Sequence, residues 1–197
     1  MAWRLFIGVM LVVSYVAAAA TDATAQRRPT NYDNTVTGND PVARFFGFNG
    51  GSPVGRTTVS FPENHKPGTI VIKARERRLY LVLGNGQAVS YGIGVGRDGF
   101  GWSGVRRISA KREWPAWTPP AQMLRRRPDL PRHMAGGPDN PLGARALYLG
   151  SSLYRIHGSN EPETIGQAVS SGCFRLTNAD VIDLYERVQV GATVIVQ

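Results

Sequence analysis

The chain carries one cysteine, Cys173, in 197 residues. It has three histidines, one long apolar run and no internal repeat. Each shortage excludes something. A lone cysteine rules out a scaffold held by intrachain disulfides. The apolar run lies at the N-terminus, so no later segment is suited to cross a membrane as a helix. His65 and His133 could join His157 and Cys173 around zinc, but their spacings match no compact ligand motif, and no metal site is expected. Acidic residues are also scarce, 14 against 23 Lys and Arg, for a formal charge of +9.

What is abundant is glycine and proline, 23 and 13 residues, more than a helical bundle tolerates. The length suits one ordinary domain and a tail. Residues 1–25 read as a secretory signal peptide: Arg4 in a short n-region, the apolar run Leu5–Val16, then small residues with A-x-A-like sites at 18–20 and 23–25. An uncleaved N-terminal anchor is the alternative. Removing Arg4 and Asp22 together leaves the charge of +9 unchanged. A basic exported chain favours anionic partners such as peptidoglycan carboxylates or membrane surfaces, and export argues against nucleic acid.

Residues 26–66 lack sustained periodicity and are expected to form a largely irregular lead-in, with Phe45, Phe46 and Phe48 free to dock on the domain. From about Pro67 the pattern changes. β-Branched and apolar runs predict strands over 69–73, 78–83, 87–95 and 105–111, with Gly84-Asn85-Gly86 as a hairpin turn. Residues 114–141, rich in Pro, Arg and Gly, read as a long functional loop. A second hairpin is expected from 146–149 and 153–157 around Gly150-Ser151-Ser152. One helix is well specified: Thr177 can cap it, and Val181, Leu184, Tyr185 and Val188 recur at helical spacing up to Gly191. A closing strand follows at 193–196. The fold class is therefore mainly β with one or two helices, a mixed-sheet sandwich or barrel-like domain.

The unpaired Cys173 admits three readings: a buried inert thiol, an intermolecular disulfide, or a nucleophile. Its neighbourhood, Ser170-Ser171-Gly172-Cys173-Phe174-Arg175-Leu176, follows Tyr154-Arg155-Ile156-His157-Gly158 by a short loop. A nucleophilic cysteine needs an imidazole or a helix N-terminus to favour thiolate. His157 ends a predicted strand beside glycine, a common place to present a side chain into a cleft. Gly172 permits close backbone approach, and amides around Gly172 and Cys173 could form an oxyanion site. Arg175 is placed to grip a carboxylate. Spacing alone leaves the structural and catalytic readings open. Gly92-Ile93-Gly94-Val95-Gly96 lacks a following helix pattern, so it reads as a strand meeting a tight turn rather than a nucleotide loop.

The stretch His157-Gly158-Ser159-Asn160, Ile165-Gly166 and Ser170–Leu176 resembles the signature of the L,D-transpeptidase catalytic (YkuD) family. Gly94-Val95-Gly96, Asn140-Pro141-Leu142-Gly143 and Tyr148-Leu149-Gly150 extend the likeness over residues 67–197. The resemblance implies that Cys173 is the nucleophile, His157 its base, the Gly158 carbonyl the group orienting the imidazole, and Arg175 and Ser171 neighbours of the substrate. Many members have histidine where this chain has Ser171, which leaves His157 as the nearby base. It further implies a periplasmic enzyme of a Gram-negative envelope, monomeric and without cofactor. The thiolate would attack the diaminopimelate carbonyl of a peptidoglycan tetrapeptide stem, release D-alanine, and pass the acyl group to an amine on a stem or an envelope protein. A carbapenem would acylate the same thiol. Water as acceptor would make it a carboxypeptidase or amide hydrolase, and loss of chemistry would leave a peptidoglycan-binding module.

Overall fold

The computed structural model describes residues 52–197. The signal-peptide expectation and the Phe45–Phe48 aromatics lie outside the described residues. Strand β2 (Ile70–Lys73), β3 (Arg78–Gly84) and β4 (Gln87–Gly92) form an antiparallel meander. The β3–β4 turn has Asn85 at φ 51° and Gly86 at φ 71°, the paired left-handed geometry a tight hairpin requires. Both faces of this meander are covered. Leu79 and Leu81 join the main core, whereas Val71, Val82 and Ala88 pack beneath Phe61 and Tyr80 on the other face. That is why these runs read as continuously apolar rather than alternating.

Strand β1 (Thr57–Ser60) pairs antiparallel with β4 at the sheet edge. The lead-in is thus not irregular throughout: its last part is a strand, invisible as a pattern because its residues are mostly exposed and polar. Strand β4 also ends earlier than expected. At Gly92 the chain leaves β3, and Gly94 exchanges two backbone hydrogen bonds with Arg175, both 2.9 Å. A separate short strand β5 (Val95–Gly96) then pairs parallel with β9 (Ala168–Ser170). Glycine is needed here for close approach, since a Cβ on Gly96 would lie 2.9 Å from Phe100 O and 3.2 Å from Gly172 Cα.

The ten-residue β6 (Gly104–Glu113) is the pivot of the mixed sheet. Its first half pairs antiparallel with β11 (Thr193–Val196), which runs parallel to β2. Its second half, after a register shift near Ile108–Ala110, pairs with β7 (Arg145–Leu149). Strand β8 (Arg155–His157) returns antiparallel to β7, and β10 (Phe174–Arg175) lies parallel to β8 at the edge. The nine-stranded order is β1-β4-β3-β2-β11-β6-β7-β8-β10. Ile70, Ile72 and Leu81 from one half share a single buried cluster with Ile108, Leu147, Ile156 and Phe174 from the other.

Between β6 and β7 the long loop contains helix α1 (Ala121–Arg126), and Trp117 and Met134 bridge its two arms by reciprocal 2.8 Å hydrogen bonds. Helix α2 (Asn178–Arg187) buries Val181 and Leu184 in the core, joined there by Val188 just past its end. Thr177 Oγ1 accepts the Asp180 N–H at 3.2 Å, the N-cap expected from sequence. The helix ends at Arg187, with Val188 at its C-cap, rather than at Gly191. Lys111 Nζ reaches from β6 to donate to Tyr185 O and Val188 O, satisfying terminal carbonyls that no glycine cap covers. Gly191, at φ 92°, instead turns the chain into β11. Among the described residues no helix is long and apolar enough to cross a membrane.

Candidate active site

Pairing of β8 with β10 decides which side chains meet. Ile156 lies opposite Phe174 and His157 opposite Arg175. One step earlier the same register sets Cys173 opposite Arg155. Strand side chains alternate faces, so Ile156 and Phe174 enter the core while Arg155, His157, Cys173 and Arg175 share the other face. Tyr148 and Ala146 of β7, opposite Arg155 and His157, continue that face. His157 and Cys173 are thus diagonal neighbours on adjacent strands.

His157 is buried, and its Nδ1 lies 2.6 Å from Gly158 O. A carbonyl only accepts, so Nδ1 carries the proton and Nε2 keeps its lone pair. Burial, helped by the Arg175 charge, pushes the His157 pKa down to about 3, against a smaller opposing effect of the Gly158 carbonyl. The imidazole is therefore neutral at physiological pH. Cys173 is half-buried, and its thiol points at Leu153 O, 3.7 Å away. Burial raises its pKa, partly offset by the Arg155 backbone amide and by the charges of Arg155 and Arg175. The resting pair is thus thiol and imidazole. The sequence argument anticipated a thiolate favoured by its imidazole, but desolvation disfavours both charged forms.

The glycine carrying the orienting carbonyl is held from behind. Asn178 Oδ1 accepts the Ala144 N–H at 2.8 Å, and a Cβ on either Gly143 or Gly158 would fall 2.2 Å from that oxygen. Asn140-Pro141-Leu142-Gly143 accordingly packs directly against Gly158 and Ser159. On the cysteine side, Ser170 Oγ donates to Cys173 O at 2.6 Å and accepts the Gly172 N–H at 3.1 Å. The Gly172 amide is thereby engaged, while the Cys173 N–H has no backbone partner among the described residues. Gly172, at φ 105°, sits where a Cβ would come 2.7 Å from Tyr154 Cε1. Its carbonyl accepts from Trp102 Nε1 at 3.0 Å, and Trp102 stacks on Tyr154 with centroids 4.6 Å apart.

Sequence reasoning identified Cys173, His157, Gly158, Gly172 and Arg175, and the fold brings all five to the β8–β10 edge. Ser171 is half-buried and has no side-chain hydrogen bond among the described residues. Its neighbour Ser170 makes the clasp instead, which two adjacent serines do not reveal in sequence. Arg175 Nη1 is 3.1 Å from Glu161 Oε2, so its guanidinium already has a carboxylate. Arg155 and Asn178 were missed, because only strand pairing and helix docking place them. Of the long loop, Arg126 lies over the Phe100 ring at 5.2 Å, with Arg97 also over that ring at 4.8 Å, and Asp139 O accepts from Asn160 Nδ2 at 3.0 Å. The loop thus touches residues flanking both His157 and Gly172. His65 pairs with Glu63 and His133 with Thr118, and among the described residues no group of three His, Cys, Asp or Glu is gathered to hold a metal.

A thiol and a neutral imidazole on one sheet face, with guanidiniums beside them, can perform acyl transfer through a thioester. The chain belongs to the L,D-transpeptidase catalytic domain family, whose model matches residues 67–196. It is 38% identical over 156 residues to the probable L,D-transpeptidase YbiS of Escherichia coli K12, covering 72% of this chain and 50% of that protein. It is 39% identical over 142 residues to the probable L,D-transpeptidase ErfK/SrfK of the same strain, covering 68% and 44%. The chain spans about half the length of the curated relatives it matches. Among solved structures, an L,D-transpeptidase from Mycobacterium smegmatis superposes with TM-score 0.53 at 17% identity, covering 66% of this chain and 58% of that one. L,D-transpeptidase 3 from Mycobacterium tuberculosis gives 0.52 at 16% identity, covering 66% and 60%. At such identities the likeness is one of fold.

Proposed function

We propose that the protein is an exported L,D-transpeptidase acting on peptidoglycan tetrapeptide stems in the periplasm, with Cys173 as nucleophile and His157 as base. The observation that carries this reading is the shared face of Cys173 and His157, with Nδ1 held by Gly158 O so that Nε2 is free to accept a proton. In the first step the Cys173 sulfur attacks the diaminopimelate carbonyl while its proton passes to His157 Nε2. The Cys173 amide, left without a backbone partner, is the candidate donor to the developing oxyanion. The C–N bond then breaks, and the His157 proton leaves with the D-alanine amine. An incoming amine, from another stem or an envelope protein, attacks the thioester. Its excess proton passes to His157 and returns to sulfur as the new amide forms.

The low His157 pKa bears on the first proton transfer. It keeps the imidazole unprotonated at rest, so Nε2 has a lone pair for the thiol proton. The test is intact-protein mass after incubation with a tetrapeptide donor and, separately, a carbapenem. Wild type is expected to gain the acyl mass, and Cys173→Ala to gain none and to release no D-alanine. Release of D-alanine by the Ala variant would overturn the assignment.

A further inference from the structure

Two arginines flank the nucleophile, and they are not equivalent. Arg175 is paired with Glu161 at 3.1 Å. The Nε of each is buried without an acceptor, so the difference is the ion pair: Arg155 has no carboxylate within 4.0 Å among the described residues. The Arg155 guanidinium lies over the Tyr148 ring, 5.1 Å from the centroid. Stacking uses the face of a guanidinium and leaves its edge of N–H donors available to a planar anion. The β8–β10 register places Arg155 directly opposite Cys173, on the face it shares with His157.

We propose that Arg155 is the carboxylate-binding residue of the site, holding a carboxylate of the donor whose carbonyl is presented to Cys173. This rests on the reading of Cys173 as the acylated nucleophile. The charges of Arg155 and Arg175 both favour a lower pKa at Cys173 and His157, Arg175 more at His157 and Arg155 more at Cys173, so both guanidiniums lie close to the pair. A tetrapeptide stem offers two carboxylates near the reacting carbonyl: the C-terminus of the leaving D-alanine, and the side-chain carboxylate of diaminopimelate. Either matches the planar edge of Arg155.

The first test needs no substrate. Rates of Cys173 alkylation by iodoacetate and by iodoacetamide are compared by mass spectrometry. Arg155→Gln should lower the iodoacetate-to-iodoacetamide rate ratio about tenfold, the scale of a charge-assisted hydrogen bond. Arg155→Lys should keep part of the preference, and Arg175→Gln should shift it less than Arg155→Gln. An unchanged ratio in Arg155→Gln, or an equal shift in Arg175→Gln, overturns the proposal. Should Arg155→Gln fail to fold, Arg155→Lys against Arg175→Gln carries the same comparison.

The second test uses stems. With a free-acid donor, Arg155→Gln should raise KM about tenfold. That increase should vanish with a donor amidated at the C-terminus if D-alanine supplies the carboxylate, or at the side chain if diaminopimelate does. An increase that survives both amidations overturns the proposal. Because alkylation selectivity does not depend on stem turnover, a protein that discriminates the two reagents but releases no D-alanine would refute the transpeptidase reading alone.

Discussion

At the scale of the residue, the informative quantity is the charge state of His157. Its pKa falls from an ordinary 6.5 to about 3 on burial. Between those values the unfolded chain binds a proton that the native protein does not. Stability contributed by the neutral imidazole is therefore complete above pH 6.5 and lost as pH falls towards 3. Replacing His157 with Gln should flatten this part of the pH dependence by a few kcal/mol across the window, read from urea unfolding at a series of pH values. Parallel curves for the two proteins would refute the account. Cys173, His157, Gly172 and Gly158 were legible in sequence because reactive residue types beside glycines form a recognisable pattern. Arg155, Ser170, Asn178 and Glu161 were not, because arginine, serine, asparagine and glutamate are ordinary surface residues until a fold gives them neighbours.

At the scale of the element, legibility followed locality. Helix α2 carries its own start signal, and Thr177 Oγ1 caps the Asp180 amide as the sequence suggests. Thr177→Ala should cost about 1 kcal/mol, seen as a melting temperature lower by about 2–4 °C. No change would mean that water or a neighbouring group satisfies the amide equally well. The end of α2 was misread, since Lys111 from a distant strand terminates it. Strands β5, β9 and β10 are two or three residues long and escape any periodicity. They exist because Gly94, Gln167, Ser170 and Arg175 find backbone partners across the fold. The parallel β5–β9 pair is the least local of these, and the parallel β8–β10 pair aligns Cys173 with the strand of His157.

At the scale of the whole molecule, the segment preceding the family-matched region is tied into the domain. Arg56 Nη1 lies 3.5 Å from Asp180 Oδ1 and 3.4 Å from Asp183 Oδ2 on α2. Tyr91 also donates to Asp183, at 2.6 Å. Val54 occupies the space a Cβ on Gly92 would need, and β1 completes the sheet edge. Burial holds the Asp180 carboxyl above its ordinary pKa, opposed by the Thr177 hydrogen bond and by the charge of Arg56. Arg56→Ala should then destabilise the protein by about 2 kcal/mol in denaturant titration at neutral pH, and adding Asp180→Asn should recover part of that loss. Simple additivity of the two substitutions would show that Arg56 does not serve the buried carboxylate.

By itself the sequence determined the fold class, the β-branched strands, the capped helix, the hairpin turn and the two residue types able to do chemistry. Those features depend on local backbone preference, on the spacing of apolar residues and on a motif contained in some twenty residues. Tertiary structure decided the rest. Pairing of β8 with β10 chose which face carries Cys173 and His157, burial made them a neutral pair, and Glu161 occupied Arg175 while Arg155 kept its donors. Such outcomes depend on distances between residues remote in the chain and on the water excluded around them, which no local pattern encodes.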